Sequence, residues 1–265
     1  MVYPISATKL RTYQRCAYAY YLKYERRVES NEFYGSAALG SALHQALAES
    51  YRDWHYREAK PHRHWFDHCW NKYSKDLNVG QVREGRRILE SYYDRFVDKE
   101  AVVRQPLAVE GKIQSKLQVG DLEFLITGRY DRIDFLPDGL ELIDYKSGRD
   151  VDLPTNGDME LQIGLYYIAL EQTYQQSLKY LSLLYLRTGE KIRFTASRQH
   201  KKRALEIVAD LAVKLRQDEA WVPTPGQGCD RCSYSRYCSA MPGQTAALPE
   251  LRPAKSLQLA LPLSA

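Results

Sequence analysis

The sequence predicts an α/β fold: a central mixed, mostly antiparallel sheet of about four to six strands flanked by helices, with an N-terminal helical region before it. Three observations predict it. Apolar residues recur at helical spacing from Leu10 to Phe96. Alternation of apolar and polar residues takes over between Leu107 and Lys146. Two further helical stretches then enclose a last hairpin. Strands and helices do not alternate one for one, which excludes a doubly wound βαβ sheet.

Ser6 is placed to cap a helix running to about Tyr24, with Leu10, Tyr13, Ala17, Tyr20 and Tyr21 on one face. A loop through Glu29–Gly35 leads to a second helix over about Ser36–Lys60, which carries Gly40-Ser-Ala-Leu-His44. Helical patterns follow over about Arg63–Asn78 and Val82–Ala101, the latter with Ile88, Tyr92 and Phe96 on one side. Leu107–Val119 alternates as a strand, Gly120-Asp121 turns, and Leu122–Thr127 returns. A hairpin comes next, within Gly128–Gly148, around Pro137-Asp138-Gly139. Asp158 is placed to cap a helix through about Gln175. Leu178–Leu186 and Lys191–Thr195 read as the last hairpin, around Thr188-Gly189-Glu190, and Ser197–Gln217 as an amphipathic helix. After Pro223 the chain becomes a Cys-bearing loop, and beyond Pro242 a tail expected to be disordered. The organisation expected is one folded domain over 1–242, made of an N-terminal helical region (1–104), a core (105–217) and a Cys segment (218–242), followed by a tail over 243–265.

At 265 residues, with 44% hydrophobic and 27% charged residues, the composition is that of a soluble globular protein. No apolar run approaches the roughly 20 residues that span a bilayer. Met1-Val-Tyr-Pro-Ile-Ser6 lacks the basic-then-apolar order of a secretory signal, so a cytoplasmic location is expected. The net charge of +5 is concentrated: Lys9, Arg11, Arg15, Lys23, Arg26 and Arg27 lie near the N-terminus, and Arg198, Lys201, Lys202 and Arg203 open the last helix. Many of the 21 tyrosines are interleaved with these bases. Such a surface suits single-stranded nucleic acid, through phosphate contacts and base stacking; solvated helix faces would carry the same charges.

Within the 128–148 hairpin, Asp131, Ile133 and Phe135 alternate on the first strand and Leu140, Leu142, Asp144 and Lys146 on the second. Unslipped pairing sets Asp131, Asp144 and Lys146 on one sheet face. A bulge at Gly139 would shift the register by one and separate the aspartates; the apolar alternation argues against a net shift. Two carboxylates beside an amine at the end of a half-buried face are costly unless a metal or a reaction uses them. Carboxylates are hard ligands for Mg²⁺ or Mn²⁺. A base next to such a cation is what phosphodiester hydrolysis requires. An exposed Asp–Lys hairpin is the plainer reading of these residues taken alone.

The wider pattern resembles the RecB-type branch of the PD-(D/E)XK nuclease superfamily. The matching residues, in order, are His44 in Gly-Ser-Ala-Leu-His, Asp131 in Gly-Arg-Tyr-Asp-Arg-Ile-Asp, the Asp144-Tyr145-Lys146 triplet, and Gln162 with Tyr166 as Gln-x-x-x-Tyr. The resemblance spans about Ser6 to Cys238 and implies a restriction-endonuclease-like core. It implies that His44, Asp131, Asp144 and the Tyr145 carbonyl hold the metal, and that Lys146 serves the nucleophilic water. Gln162 and Tyr166 would fix the lysine or the DNA strand; four residues apart, they share a helix face. Glu110 is expected in a structural or supporting role.

Cys229-Asp-Arg-Cys232-Ser-Tyr-Ser-Arg-Tyr-Cys238 forms a C-x₂-C-x₅-C cluster, and Cys16 is the distant partner that would complete four thiolates. Spacing alone leaves zinc and an iron–sulfur cluster open. Three C-terminal cysteines and one N-terminal cysteine resemble the staple of AddB-type helicase–nucleases and of CRISPR spacer-acquisition nucleases. That resemblance implies a 4Fe–4S cluster tying the first helix to the chain end. Cys69, between His68 and Trp70, is expected in the core.

Gln258-Leu259-Ala-Leu261-Pro-Leu263 resembles the short peptide by which bacterial proteins bind the polymerase sliding clamp. Taken together, the sequence predicts a Mg²⁺- or Mn²⁺-dependent DNA nuclease acting on single strands or free ends, an exonuclease in repair or processing. The alternatives are a CRISPR spacer-acquisition nuclease working with an integrase, and a non-catalytic DNA-binding iron–sulfur protein. No ATP-binding P-loop is present, so any helicase would be a separate chain.

Overall fold

The computed structural model of the chain describes residues 3–29, 34–148, 155–226, 228–243 and 245–249. Its centre is a six-stranded mixed sheet of β1 (Tyr3–Ile5), β2 (Ala108–Val119), β3 (Leu122–Leu136), β4 (Gly139–Lys146), β5 (Leu178–Tyr185) and β6 (Glu190–Thr195). The strands run β1-β3-β4-β5-β6, with β2 along the other edge of β3. β1/β3 and β4/β5 are parallel; β2/β3, β3/β4 and β5/β6 are antiparallel. The α/β sheet flanked by helices is therefore as the sequence predicts.

β3 organises the sheet. β2 pairs with it from Val119↔Leu122 to Ala108↔Ile133. On its other edge β3 serves two strands: β1 at Phe124–Ile126 and β4 at Arg132–Leu136. Residues 127–131 face no paired strand on that edge among the described residues, and side-chain bonds bridge the gap to its neighbours instead. Thr127 Oγ1 donates to the Ile5 carbonyl at 3.0 Å, the Tyr166 hydroxyl donates to the Arg129 carbonyl, and Asp131 Oδ2 accepts the Tyr145 N–H at 2.6 Å. The turn at Pro137–Asp138 introduces no slip, since Leu136↔Gly139 and Arg132↔Ile143 belong to one uninterrupted register.

Helices α3 (Tyr34–Arg52), α4 (Arg63–Tyr73) and α5 (Val79–Phe96) cover one sheet face. Leu43, Leu47, Trp70, Tyr92, Ile143, Tyr145 and Leu184 are packed there in one buried cluster. Helix α6 (Asn156–Tyr174) takes the other face, where Ser115 of β2 donates to Gln172, and α7 (Arg198–Gln217) packs on α6. Glu141, buried on β4, accepts from Ser182 at 2.5 Å and pairs with Lys191 at 2.7 Å and Arg193 at 3.2 Å.

Several boundaries differ from expectation, for local reasons. The first helix is α1 (Ala7–Arg15), broken at Cys16 and restarted as α2 (Ala17–Tyr20) and a π-helical turn over Tyr21–Glu25. Cys16 is extended (φ −165°, ψ 111°) and its Sγ accepts the Ala19 N–H, so the thiol acts as a new N-cap. α3 stops at Arg52 rather than near Lys60. α4 stops at Tyr73 because Asn78 begins a capping box with Gln81 that starts α5. Thr155, not Asp158, caps α6: its Oγ1 accepts the Asp158 N–H at 3.2 Å. Leu122–Leu136 is one strand, with Gly128 inside it, and the three-residue β1 is too short to register as a pattern.

Contacts divide the chain into two compact units. One comprises the described residues of Met1–Arg11 and Phe33–Gln217, which hold the sheet; the other comprises those of Thr12–Glu32 and Asp218–Ala265. The tail motif at Gln258–Leu263 lies outside the described residues.

Candidate active site

The site begins with register. Val109 pairs with Arg132 and Gly111 with Tyr130, so Glu110 of β2 lies level with Asp131 of β3. One step beyond Arg132↔Ile143, Asp131 lies level with Asp144 of β4. Three carboxylates therefore cross three adjacent strands in one row. At this row β2 and β3 change face. Gly111 and Tyr130 lie towards α6, where Tyr130 meets Tyr174, whereas Val109 and Arg132 belong to the α3–α5 side. Glu110 marks the change with a φ of 45°, a left-handed conformation that a glutamate adopts only when its surroundings hold it.

The change of face brings the carboxylates within reach of α3. His44 Nδ1 lies 3.0 Å from Asp131 Oδ1 and 3.7 Å from Glu110 Oε1. His44, Glu110 and Asp131 can place one ligand atom each within 4.8 Å of one another, and all three are half-buried. Among the described residues this is the one His/Cys/Asp/Glu group so gathered. Gly40 sits one helical turn before His44, and a Cβ there would stand 2.6 Å from Ser147 Oγ. The missing side chain lets the end of β4 approach the helix, and so brings His44 to the sheet. Burial alone would lower the His44 pKa, but the bonds and charges of Asp131 and Glu110 outweigh it and push the imidazole up to about 9.

Asp144 and Lys146 follow on β4, with Lys146 Nζ 2.7 Å from Asp144 Oδ2. Burial pushes the Asp144 carboxyl up against the opposing pull of Lys146. The pair lines a cavity of about 560 Å³ with Gln162 and Tyr166 of α6 and with Arg11. His44, Glu110 and Asp131 line a second cavity of about 930 Å³ with Gly40, Ser147 and Arg187. Tyr166 is committed to the backbone: a Cβ on Gly128 would lie 2.8 Å from its ring, so the glycine admits the ring and the hydroxyl reaches Arg129. Burial, then the charges of Asp144 and Asp131, raise that hydroxyl's pKa and keep it a donor.

Tyr145 lies between Asp144 and Lys146 but points its side chain to the other face. Its ring meets His44 edge-on at 5.9 Å, and its hydroxyl lies 3.3 Å from that of Tyr92. Arg132 donates to Tyr92 at 3.1 Å and Tyr145 at 3.4 Å, pairs with Asp134 at 2.8 Å, and covers the Tyr51 ring. This buried polar network fixes the strand that carries the catalytic candidates.

The structure thus brings His44, Asp131, Asp144, Lys146, Gln162 and Tyr166 around adjoining cavities. It adds Glu110 to the His44–Asp131 pair, closer in than the supporting role expected of it. The signal lies in the sequence: counting back from the Gly120-Asp121 turn sets Glu110 against Asp131. Arg129, which lines both cavities, carries no such signal.

Cys16, Cys229, Cys232 and Cys238 are half-buried and all belong to the second unit. Cys16 Sγ accepts the Ala19 and Thr224 N–H groups at 3.5 Å each, and Cys229 Sγ accepts that of Gly226 at 3.3 Å. Cys16 and Cys232 pack against Ala19, Leu22, Val28, Tyr234 and Tyr237. The thiols do not converge as the His44 group does. Cys69 is in the first unit, buried in the α3–α5 core, and burial pushes its thiol up to about 11.

No described helix is long and apolar enough to cross a membrane. A family model described as the PD-(D/E)XK nuclease superfamily matches residues 4–239. The solved structure of SSO0001 aligns over 91% of this chain and 88% of its own, at 13% identity and a TM-score of 0.43. No curated protein matches the sequence.

Proposed function

Since the chain belongs to the PD-(D/E)XK nuclease superfamily, whose members cut with divalent metals, we propose that it hydrolyses phosphodiester bonds of single-stranded DNA or DNA ends, as an exonuclease in repair or processing. The observation that carries this reading is the meeting of His44, Glu110 and Asp131 at one cavity wall beside the Asp144–Lys146 pair. One imidazole and two carboxylates, half-buried and mutually close, fit Mn²⁺ or Mg²⁺. His44, Asp131 and Glu110 would hold the cation, with Asp144 and the Tyr145 carbonyl completing the set. Bound there, it would polarise the phosphate and acidify a water.

The chain's own groups account for the rest. Asp144 holds Lys146 Nζ at the cavity wall, where the amine orients the attacking water and passes its proton on. Gln162, on the α6 face over the pair, positions the lysine or the strand. Tyr166 fixes the Arg129 carbonyl and so the level of Asp131, two residues on. The assay is cleavage of labelled single-stranded DNA with Mn²⁺. Equal cutting by wild type and Lys146→Ala would remove the enzyme reading and leave the non-catalytic DNA-binding alternative. The CRISPR spacer-acquisition reading shares this chemistry and is separated by activity that depends on an integrase.

For the four cysteines we propose a 4Fe–4S cluster, with zinc as the alternative. The support is that one compact unit contains these four and not Cys69, with N–H groups already aimed at two of the sulfurs. A four-iron cube also holds its thiolates further apart than a single ion does. A brown protein with iron-dependent visible absorption is expected; a colourless one with stoichiometric zinc would replace iron with zinc. We further propose that 1–242 works as one cytoplasmic nuclease domain and that Gln258, Leu259, Leu261 and Leu263 bind a sliding clamp. A clamp pull-down undiminished by deleting 256–265 would end the latter.

A further inference from the structure

Arg129 of β3 is shared by the two cavities. One holds the ligands proposed for the cation, the other holds Asp144 and Lys146. The Arg129 side chain is 74% exposed, and it pairs with Glu110 Oε2 at 3.6 Å, longer than a hydrogen bond. Its backbone is anchored, because the carbonyl accepts the Tyr166 hydroxyl. A long cationic arm on a fixed base therefore stands between the two halves of the site. Glu110 is divided as well, with Oε1 towards His44 and Oε2 towards Arg129. A carboxylate that takes up a divalent cation gives up most of its attraction for a guanidinium beside it.

We propose that Arg129 is a catalytic residue that exchanges partners, holding Glu110 when no cation is bound and the scissile phosphate when the cation takes Glu110. The proposal rests on the nuclease reading above and names a further residue for it. The exchange needs rotation about side-chain bonds alone, between staggered positions open to an exposed arginine. The guanidinium fork matches two phosphate oxygens, which a lysine cannot match as a pair. Placed between the cation ligands and Lys146, it would hold the phosphate where attack is directed.

Two measurements on the full chain test it. In calorimetric titration with Mn²⁺ and no DNA, Arg129→Ala binds Mn²⁺ about two- to fivefold more tightly than wild type, because a competitor for Glu110 is gone. Equal or weaker binding overturns the exchange. In the second, Lys146→Ala serves as a non-cutting parent in saturating Mn²⁺, and binding of a single-stranded oligonucleotide is followed against salt. Adding Arg129→Ala lowers affinity about tenfold and reduces the salt slope by about one. Arg129→Lys keeps the slope and recovers some of the affinity. An unchanged slope in Arg129→Ala overturns the phosphate role. If the parent binds no DNA while the Mn²⁺ result holds, the Arg129–Glu110 contact stands, but the nuclease reading fails and the exchange onto phosphate is overturned with it.

Discussion

The His44 site and the unit that holds four of the cysteines are built in opposite ways. In the sheet unit, Glu110, Asp131 and Asp144 are brought level by strand register, and His44 reaches the first two from α3. In the other unit, Cys16 and the 229–238 loop come from the chain's ends, and their thiols share a unit without converging. The first site is held by the long β2/β3 ladder, by the β3/β4 hairpin and by helix packing. The second has short turns and a small apolar cluster to hold it. A carboxylate row can be assembled by the fold and wait for its ion. A thiolate cluster of the kind proposed would draw its order from the ion, as small metal-bound units do.

The sharpest way to break this contrast is to remove one ligand from each site. Asp131→Asn keeps the size of the side chain and loses its charge. It should cut nuclease activity by about 10³-fold or more and weaken Mn²⁺ binding by at least about tenfold, with the melting transition little changed. Cys232→Ser should do the reverse to stability: without a ligand for the proposed cluster the second unit becomes protease-sensitive, while the sheet unit stays protected. Limited proteolysis with mass mapping reads both. Loss of protection in the sheet unit of Asp131→Asn, or an unaltered second unit in Cys232→Ser, would erase the distinction.

Much of the sheet site is legible in the sequence because period-2 alternation and turn chemistry carry register. The unbroken run from Leu136↔Gly139 to Arg132↔Ile143 follows from the alternation of Ile133 and Phe135 with Leu140 and Leu142, which outweighs the bulge that Pro-Asp-Gly invites. What alternation does not carry is the change of face at Glu110 and Asp131. A single positive φ produces no pattern in apolar residues, so alternation gives Glu110 a lesser place than the structure does. The break at Cys16 is hidden for a related reason: a thiol is seldom an N-cap, and the apolar period runs across it undisturbed. β1 escapes notice because three residues are too few to show a period.

A smaller effect tests whether helix packing holds the first site. Gly40→Ala places a methyl group against Ser147 Oγ, and the strain is felt by His44 if the hydroxyl is held in place rather than turning away. Overpacking of this kind should cost about 1–2 kcal/mol. It should also lower kcat more than KM, since the His44–Asp131 spacing changes while the outer walls do not. The double variant Gly40→Ala/Ser147→Gly removes the obstructing hydroxyl and should recover most of both losses. If Gly40→Ala is fully active, His44 does not depend on this approach.

The smallest expected effect concerns the strand that carries Asp144 and Lys146. Burial would raise the Glu141 carboxyl, but hydrogen bonds from Lys191 and Ser182 and the charges of Lys191 and Arg193 hold it below the ordinary carboxylate range. A carboxylate with a depressed folded-state pKa contributes stability that is present above its unfolded pKa and is lost as the pH falls through the folded one. Glu141→Gln should therefore cost about 1–2 kcal/mol at pH 7, and the gap to wild type should close as the pH is lowered below the ordinary carboxylate range. Lys191 and Arg193 keep partial access to water, so the cost stays below that of a fully buried pair. Denaturant midpoints of the two proteins across acid pH give the answer. A gap that stays constant with pH would mean that Glu141 holds β4, β5 and β6 together by shape rather than by charge.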